Sequence, residues 1–463
     1  MVTMTAPRVH DLRKRIVASL RQSAWTDAYQ RYISKADIDN ITSEENILSI
    51  VEEDQTIEPE RKKGFSDYIY KSSRILFAMF IYYGIPITHL LTLPYTDNDL
   101  PIPTRLIIED MEIEDTSLEF VQHIPGGQWM FLPTQFFVRG SHQELDPNAI
   151  LPFRSMDLAG TGTFGTVYKV ETEPSHLNHV SIRCSSPLIS RLSRDILQGS
   201  GQPLALKVIS RRKATDGMNE RKLLEGLRSI GHPHIIELLT SFERERELGM
   251  FFPLATCDLD YYMGEKGPLI DDQFVSWFLT QLCGLTDALS KIHEYDRVST
   301  TSISSSGGYH LDLKPQNILF FQDSTMPRLQ GVFKLSDFGA RRLGTPKYAA
   351  PEAELEDTTP SDVQDMWSFG CVILELLIWI HDGPPGRARS TVGIDKFFKQ
   401  WPDGGFYIHN DVRRAIEQLS FPRCNAVLHE ILRTVIDRLL VWDPQARWSA
   451  AGLLSALNCI SGE

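Results

Sequence analysis

The chain has too few cysteines, and in the wrong places, for a disulfide framework. Its six (positions 184, 257, 283, 371, 424 and 459) are scattered over 463 residues, with no CxxC pair and no metal-ligand spacing. They predict reduced thiols in a cytoplasmic or nuclear chain. A membrane-spanning run is also missing. The longest apolar stretch, Ile75 to Ile87, is broken by Gly84 and Pro86 and falls short of the roughly 20 residues a bilayer needs, so it predicts a buried core helix and no membrane partner. The first twenty residues hold no apolar stretch of the kind a secretory signal requires. Basic residues are outnumbered 47 to 60, for a net charge of -13. That deficit argues against sequence-independent nucleic-acid binding, which needs a basic surface. No internal repeat is visible.

What is present divides near residue 150. Residues 1–150 carry helix signals and no chemistry. Val9, Leu12, Ile16, Val17 and Leu20 share one helical face. Thr42 and Glu45 form a capping-box pattern ahead of Ile47, Leu48, Ile50 and Val51. A helix starting near Asp67 should bury Ile69, Leu76 and Phe80 and stop at Gly84. Pro94 to Arg105 reads as a loop, Gln128 to Val138 as extended, and the polar segment Ser141 to Pro152 as a boundary. Beyond Phe153 short strands give way to long helices. Pro174 to Gln202, between two predicted strands, and Ser299 to Gly308, nearly all Ser, Thr and Gly, read as surface insertions.

Gly160-Thr-Gly162-Thr-Phe-Gly165-Thr-Val167 is a GxGxxGxV pattern. Glycines let backbone N–H groups approach phosphate oxygens without a Cβ in the way. A Rossmann loop would continue into a helix, but Thr166 to Val170 is β-rich. The pattern alone fits a phosphate loop or an ordinary hairpin turn. Next, Leu204 to Ile209 alternates as a strand, with Lys207 on an otherwise apolar segment. A lysine there needs an anion, either a phosphate or a carboxylate. Glu220, on a predicted helix, is the candidate carboxylate and Glu225 its competitor.

The densest signal is His310-Leu-Asp312-Leu-Lys314-Pro-Gln-Asn317. An acid, a base and an amide within six residues suit transfer chemistry at a divalent metal. Asp312 is placed to accept a hydroxyl proton, Lys314 to meet migrating charge, and Asn317 to hold Mg²⁺ through its side-chain oxygen. Twenty residues on, Asp337-Phe-Gly339 offers a second hard-oxygen ligand. A predicted hairpin, Ile318 to Phe321 and Val332 to Leu335, joins the two.

From about residue 153 the chain resembles the eukaryotic protein kinases of the serine/threonine type, with motifs in family order throughout. The Gly-rich loop, Lys207, Glu220, HxDxKxxN and DFG are followed by Gly344-Thr-Pro-Lys-Tyr-Ala-Ala350-Pro351-Glu352, by Asp365-Met-Trp-Ser-Phe-Gly370 and by Asp443-Pro-Gln-Ala-Arg447. The resemblance implies an α+β, bilobal kinase fold preceded by a mainly helical region of unknown role. The domains would be 1–150 and 151–463, with an N-lobe of about 151–255 and a C-lobe of about 256–463.

It further implies ATP and Mg²⁺ as cofactors and Ser/Thr-bearing proteins as substrates. Gly160, Gly162 and Gly165 would cover the phosphates. Lys207, held by Glu220, would meet the α- and β-phosphates; Asn317 and Asp337 would hold the metal, with Asp312 and Lys314 at the acceptor hydroxyl. The adenine would lie between Ala205 and Val167 above and Leu319 below, with Phe252 as gatekeeper and Pro253 to Ala255 as hinge. Lys314 and Thr345 favour Ser/Thr over Tyr acceptors. A pseudokinase or scaffold that binds partners without transfer is the alternative.

Two departures stand out. Leu311 occupies the position of the HRD arginine, and only 16 residues run from Asp337 through Glu352. With no arginine to receive a phosphate and little loop to carry one, activity is expected not to need activation-loop phosphorylation.

Overall fold

The computed structural model describes residues 7–25, 30–103, 123–138, 140–162, 165–179, 203–210, 214–265, 267–268, 270–298, 308–322, 331–338, 344–355, 358–402, 405–419 and 426–461. Most of the first predicted insertion (180–202), the stretch 299–307 of the second, and Gly339 to Leu343 lie outside the described residues. The chain folds as two compact units. One comprises Met1–Thr161, Thr166–Leu206 and Thr240–Gly249; the other comprises Gly162–Gly165, Lys207–Leu239 and Met250–Glu463.

The first unit opens with α1 (Pro7–Ala18), the antiparallel pair β1 (Leu20–Gln22) and β2 (Arg31–Ile33), then α2 (Lys35–Ile41), α3 (Glu44–Glu53), α4 (Pro59–Ser72) and α5 (Arg74–Tyr83). Leu12 and Ile16, one turn apart on α1, are buried, whereas Val17 is 52 % exposed. They join a core with Ile47, Val51, Phe65, Ile69, Leu76 and Phe80.

The cap of α3 differs from the expected box. Ser43, not Thr42, accepts the Asn46 N–H, because the Thr42 hydroxyl is already donated back to Ile38 O at the end of α2. The helix expected from Asp67 to Gly84 is two helices broken at Ser73. Asp97, brought in from a later loop, accepts the free N–H groups of Ile75 and Leu76 at the start of α5. Gly84 ends α5 with φ 78°, the left-handed region where glycine is strain-free.

A six-stranded sheet follows, in the order β4-β9-β10-β8-β6-β5. Its strands are β4 (Gln143–Leu145), β5 (Phe153–Thr161), β6 (Thr166–Thr172), β8 (Leu204–Ser210), β9 (Thr240–Arg244) and β10 (Glu247–Pro253); the short β3 (Phe136–Val138) and β7 (Leu177–His179) pair separately. β4 lies inside the polar segment read as a boundary and runs parallel to β9.

The helical segment is bonded to this sheet within the unit. Ala24 N–H and the Ser23 hydroxyl reach Phe153 O and Leu151 O. The Trp25, Phe136, Phe153 and Phe242 rings meet at 5.5–6.1 Å. Fully buried His176 accepts Lys35 N–H at Nε2 and faces Thr134 O at 3.0 Å through Nδ1.

The second unit holds α6 (Ala214–Leu227), the sheet β11 (Cys257–Asp258), β12 (Ile318–Gln322) and β13 (Gly331–Leu335), and the helices α7 (Leu259–Tyr262) and α8 (Asp272–Val298). It continues through α9 (Asp362–Thr391), the hairpin β14 (Phe398–Gln400) and β15 (Phe406–Ile408), α10 (Asn410–Gln418), α11 (Ala426–Thr434) and α12 (Ala450–Ser461). α9 is long and apolar enough to cross a membrane by length and composition, but 89 % of its apolar window is buried inside the protein. It is the core helix of this unit, carrying buried Trp367, Phe369, Leu374 and Ile378. A buried ion pair between Glu352 and Arg447 fastens the segment before α9 to the one before α12.

Candidate active site

β8 alternates apolar residues and delivers Lys207 into a buried position. Its Nζ donates to both carboxylate oxygens of Glu220 on α6, at 2.8 and 2.7 Å, and to Asp337 Oδ1 at 2.8 Å. These bonds use all three ammonium hydrogens. Glu225, the competing carboxylate, pairs instead with Arg221. Burial works against the Lys207 charge, but Glu220 and Asp337 outweigh it and the ammonium pKa is raised. Burial also raises the carboxyl of Glu220, against the pull of Lys207. Asp337 ends lower than an ordinary carboxylate: burial opposes its charge, and the Lys207 ammonium beside it prevails, helped by His310 and Lys314.

The second cluster surrounds Asp312, which is 5 % exposed. Oδ1 accepts the Thr345 N–H and hydroxyl at 2.6 and 2.9 Å. Oδ2 accepts Lys314 Nζ at 2.7 Å and Asn317 Nδ2 at 3.1 Å. Lys314 also donates to the Thr345 hydroxyl at 2.8 Å. Gly344 is obligatory here, since a Cβ would sit 2.3 Å from Leu311 O and 2.5 Å from Asp312 Oδ1.

Backbone geometry is over-determined around both clusters. Leu311 and Asp337 hold φ values of 61° and 63°, left-handed conformations that cost a non-glycine residue on the order of 1–3 kcal/mol. Asp365 of α9, 1 % exposed, accepts the N–H groups of His310 and Leu311 at 2.8 and 2.7 Å and faces His293 Nε2 at 3.0 Å. Ser336 donates its N–H and hydroxyl to Asn317 O and accepts from His310 Nε2 through its own carbonyl. One residue thus ties the His310–Asn317 segment to Asp337. Glu220 also accepts the Phe338 N–H, which fixes α6 to the same segment.

The remaining expected positions fall as follows. Gly160 and Val167 face each other in the β5–β6 register, and with Ala205 they belong to the first unit. Gly162 N–H bonds Gly165 O at 2.8 Å, closing the turn between these strands. A Cβ on Gly165 would lie 2.6 Å from Val208 O, so only glycine fits. Phe252, buried, and Pro253 end β10, with half-buried Ala255 just beyond and Leu319 on β12.

Sequence reasoning left three working residues unassigned: Thr345, Asp365 and Ser336. In the sequence Thr345 marks only substrate class, and Asp365 stands only as part of a motif. The signal for both was their place in those motifs. Ser336 offered only its position next to Asp337.

The protein kinase domain model matches residues 190–457. The match begins after the Gly-rich loop at 160–165. Relatives include serine/threonine-protein kinase fused of Drosophila melanogaster, 30 % identical over 265 residues that cover 53 % of this chain and 26 % of that protein. Serine/threonine-protein kinase nekl-2 of Caenorhabditis elegans is 29 % identical, over 49 % of this chain and 64 % of that protein. Mitogen-activated protein kinase HOG1A of Wallemia ichthyophaga is 26 % identical, over 63 % and 78 %. The aligned part spans only 15–26 % of the length of the first three curated relatives. With more than half of its residues matched by the domain model, and with its lysine, its carboxylates and its asparagine gathered in the geometry above, this chain belongs to the protein kinase family.

Proposed function

We propose that the chain is an ATP-dependent serine/threonine protein kinase, moving a γ-phosphoryl group onto protein hydroxyls. One observation carries the reading. Residues separated by up to 130 positions, Lys207 and Asp337, meet at 2.8 Å with Glu220 behind them. An ammonium so deeply buried, with two carboxylates on it, serves no stability purpose that an apolar side chain would not serve as well.

The donors fit magnesium and a triphosphate. Asn317 spends its amide hydrogens on Asp312 O and Oδ2, which leaves its carbonyl oxygen for a hard cation. Asp337 bonds Lys207 through Oδ1, which leaves Oδ2. An amide and a carboxylate oxygen completed by phosphate oxygens and water suit Mg²⁺. Among the described residues no cluster of three or more His, Cys, Asp or Glu forms an all-protein metal cage. Magnesium-bound ATP, when present, supplies the phosphoryl group to be transferred and the charge that neutralises its oxygens.

The chain's own residues do the rest. Lys207 exchanges Asp337 for phosphate oxygens while Glu220 keeps it in place. Asp312 orients the acceptor hydroxyl and takes its proton on a carboxylate oxygen, with Lys314 beside it to balance the developing charge. Thr345 and Asn317 lock that carboxylate in one orientation. Catalysis is then positioning and electrostatics. The Ser/Thr class rests on the Lys314–Thr345 pairing and on the names of the relatives. The test is steady-state transfer from Mg·ATP to generic Ser/Thr substrates by wild type, Asp312→Asn and Asp337→Asn. Loss of the base should cost on the order of 10²–10⁴-fold; equal activity in all three would exclude this transfer mechanism.

A further inference from the structure

Beside the Asp312 cluster, and outside the machinery described so far, lies a buried carboxylate saturated from within. Glu375 on α9 is fully buried. Its Oε1 accepts Lys347 Nζ at 2.7 Å and the Tyr348 hydroxyl at 3.0 Å, and its Oε2 accepts Arg387 Nε at 3.0 Å. Arg387 also pairs with Asp260. Lys347 is 19 % exposed in its side chain and lies over the rings of Tyr348 and Phe397, at 5.0 and 5.7 Å.

Its place in the chain makes this network relevant to substrate choice. A hydroxyl presented to Asp312 must lie against Thr345, which touches both Asp312 and Lys314. Lys347 is two residues further on, within about 7 Å along the backbone. A side chain one to three positions from the acceptor therefore passes over Lys347. The buried carboxylate that holds Lys347 and Tyr348 is Glu375, and its oxygens are taken by two cations and a phenol; Asp260, which also acts on Tyr348, is itself paired with Arg387. An incoming Arg or Lys would find no free anion and would meet the Lys347 ammonium instead. An incoming carboxylate would find an ammonium with hydrogens to spare, since Glu375 uses one of its three.

We infer that Lys347 is a specificity-determining residue: by occupying Glu375 it makes the enzyme favour acceptors flanked by acidic side chains over acceptors flanked by basic ones. The inference rests on the kinase reading above and deepens it by naming a substrate class. Lys347→Met leaves Glu375 Oε1 with only the Tyr348 hydroxyl on it and removes the partly exposed cation, so the preference should vanish or reverse. Lys347→Arg keeps the cation and should keep the preference.

The test uses the full-length chain and peptides with one central Ser, identical except for a single Glu or Arg at each flanking position in turn. For wild type and Lys347→Arg, kcat/KM is expected to favour the Glu peptide by roughly 3–10-fold at one or more positions, as a partly exposed charge-assisted contact allows. For Lys347→Met the ratio at those positions should fall to one or below. Peptide affinity by fluorescence anisotropy, with the same peptides and no nucleotide, should move in the same direction. If no peptide is phosphorylated, the transfer reading fails while the affinity ratio still decides this proposal. A wild-type preference for Arg at every responsive position overturns the inference, whether or not the variants fold. A Glu-to-Arg ratio that is unchanged in folded Lys347→Met also overturns it.

Discussion

Thr345 donates both its N–H and its hydroxyl to one oxygen of Asp312, at 2.6 and 2.9 Å. The same hydroxyl accepts from Lys314. The acceptor base is thus held by a residue 33 positions further along the chain. Thr345→Val keeps the shape and deletes the hydroxyl. It should lower kcat by about 10–100-fold, the scale of a small misplacement of reacting groups, and leave the KM for ATP unchanged. Thr345→Ser should restore most of the rate. Steady-state kinetics on the three proteins checks this.

At the other end of the site, Lys207→Met strands Glu220, which is 1 % exposed. A buried charge stripped of its partner costs about 3–5 kcal/mol. The prediction is a lower melting temperature together with lost transfer. The double variant Lys207→Met/Glu220→Leu should recover stability and not activity. Recovery of activity by that pair would contradict the role given to Lys207.

Acid should weaken the fold through two histidines. Burial pushes the His176 imidazole down to about 4, aided by Lys35 and Arg21 and opposed by its bond to Thr134. Burial does the same to His234, also to about 4, against its contact with Phe333 O. Each takes up its proton more readily when unfolded, near 6.5. The stability they contribute is therefore complete above about pH 6.5 and is lost as pH falls toward 4, roughly 3 kcal/mol for each in full. Thermal melts from pH 7.5 to 5 should show this slope, and His176→Gln should flatten part of it. A melting temperature independent of pH over that range would contradict it.

Phe153 is fully buried among the Trp25, Phe136 and Phe242 rings and its carbonyl accepts Ala24 N–H. Phe153→Ala should cost about 3–5 kcal/mol, and Trp25→Ala should also destabilise the chain. A fragment starting at Phe153 would lose Trp25, Phe136 and strand β4 together. Chemical denaturation of the variants, and solubility of the fragment, test this; a fragment as soluble, stable and active as the full chain would show that residues 7–152 are dispensable.

Leu311 stands where an arginine would receive an activation-loop phosphate, and its own N–H is held by Asp365. Phosphatase treatment should leave the transfer rate unchanged. A loss of activity that returns with phosphorylation of Thr345 would refute this.

The contiguous motifs made much of the site legible in the sequence. Asp312, Lys314 and Asn317 fall within six residues, and the expected hairpin of Ile318 to Phe321 with Val332 to Leu335, which joins them to Asp337, is the observed β12–β13 pair. Local pattern was weaker where two local signals overlap. Thr42 and Ser43 are both cap formers, and only the end of α2 decides between them. The break at Ser73 was not visible at all, because its compensation comes from Asp97, more than twenty residues away. The bond from His176 to Lys35 crosses 141 positions, and no periodicity in either segment announces it. The sequence likewise leaves the partner of Lys207 open between a phosphate and a carboxylate, and between Glu220 and Glu225; α6 turns Glu220 onto Lys207 and Glu225 onto Arg221.

The most direct test follows labelled γ-phosphate from Mg·ATP into a mixed protein substrate, with the labelled amino acid identified afterwards. The account predicts phosphoserine and phosphothreonine from the wild-type chain and almost none from Asp312→Asn. Undiminished label from Asp312→Asn, or label found only on tyrosine, would contradict it.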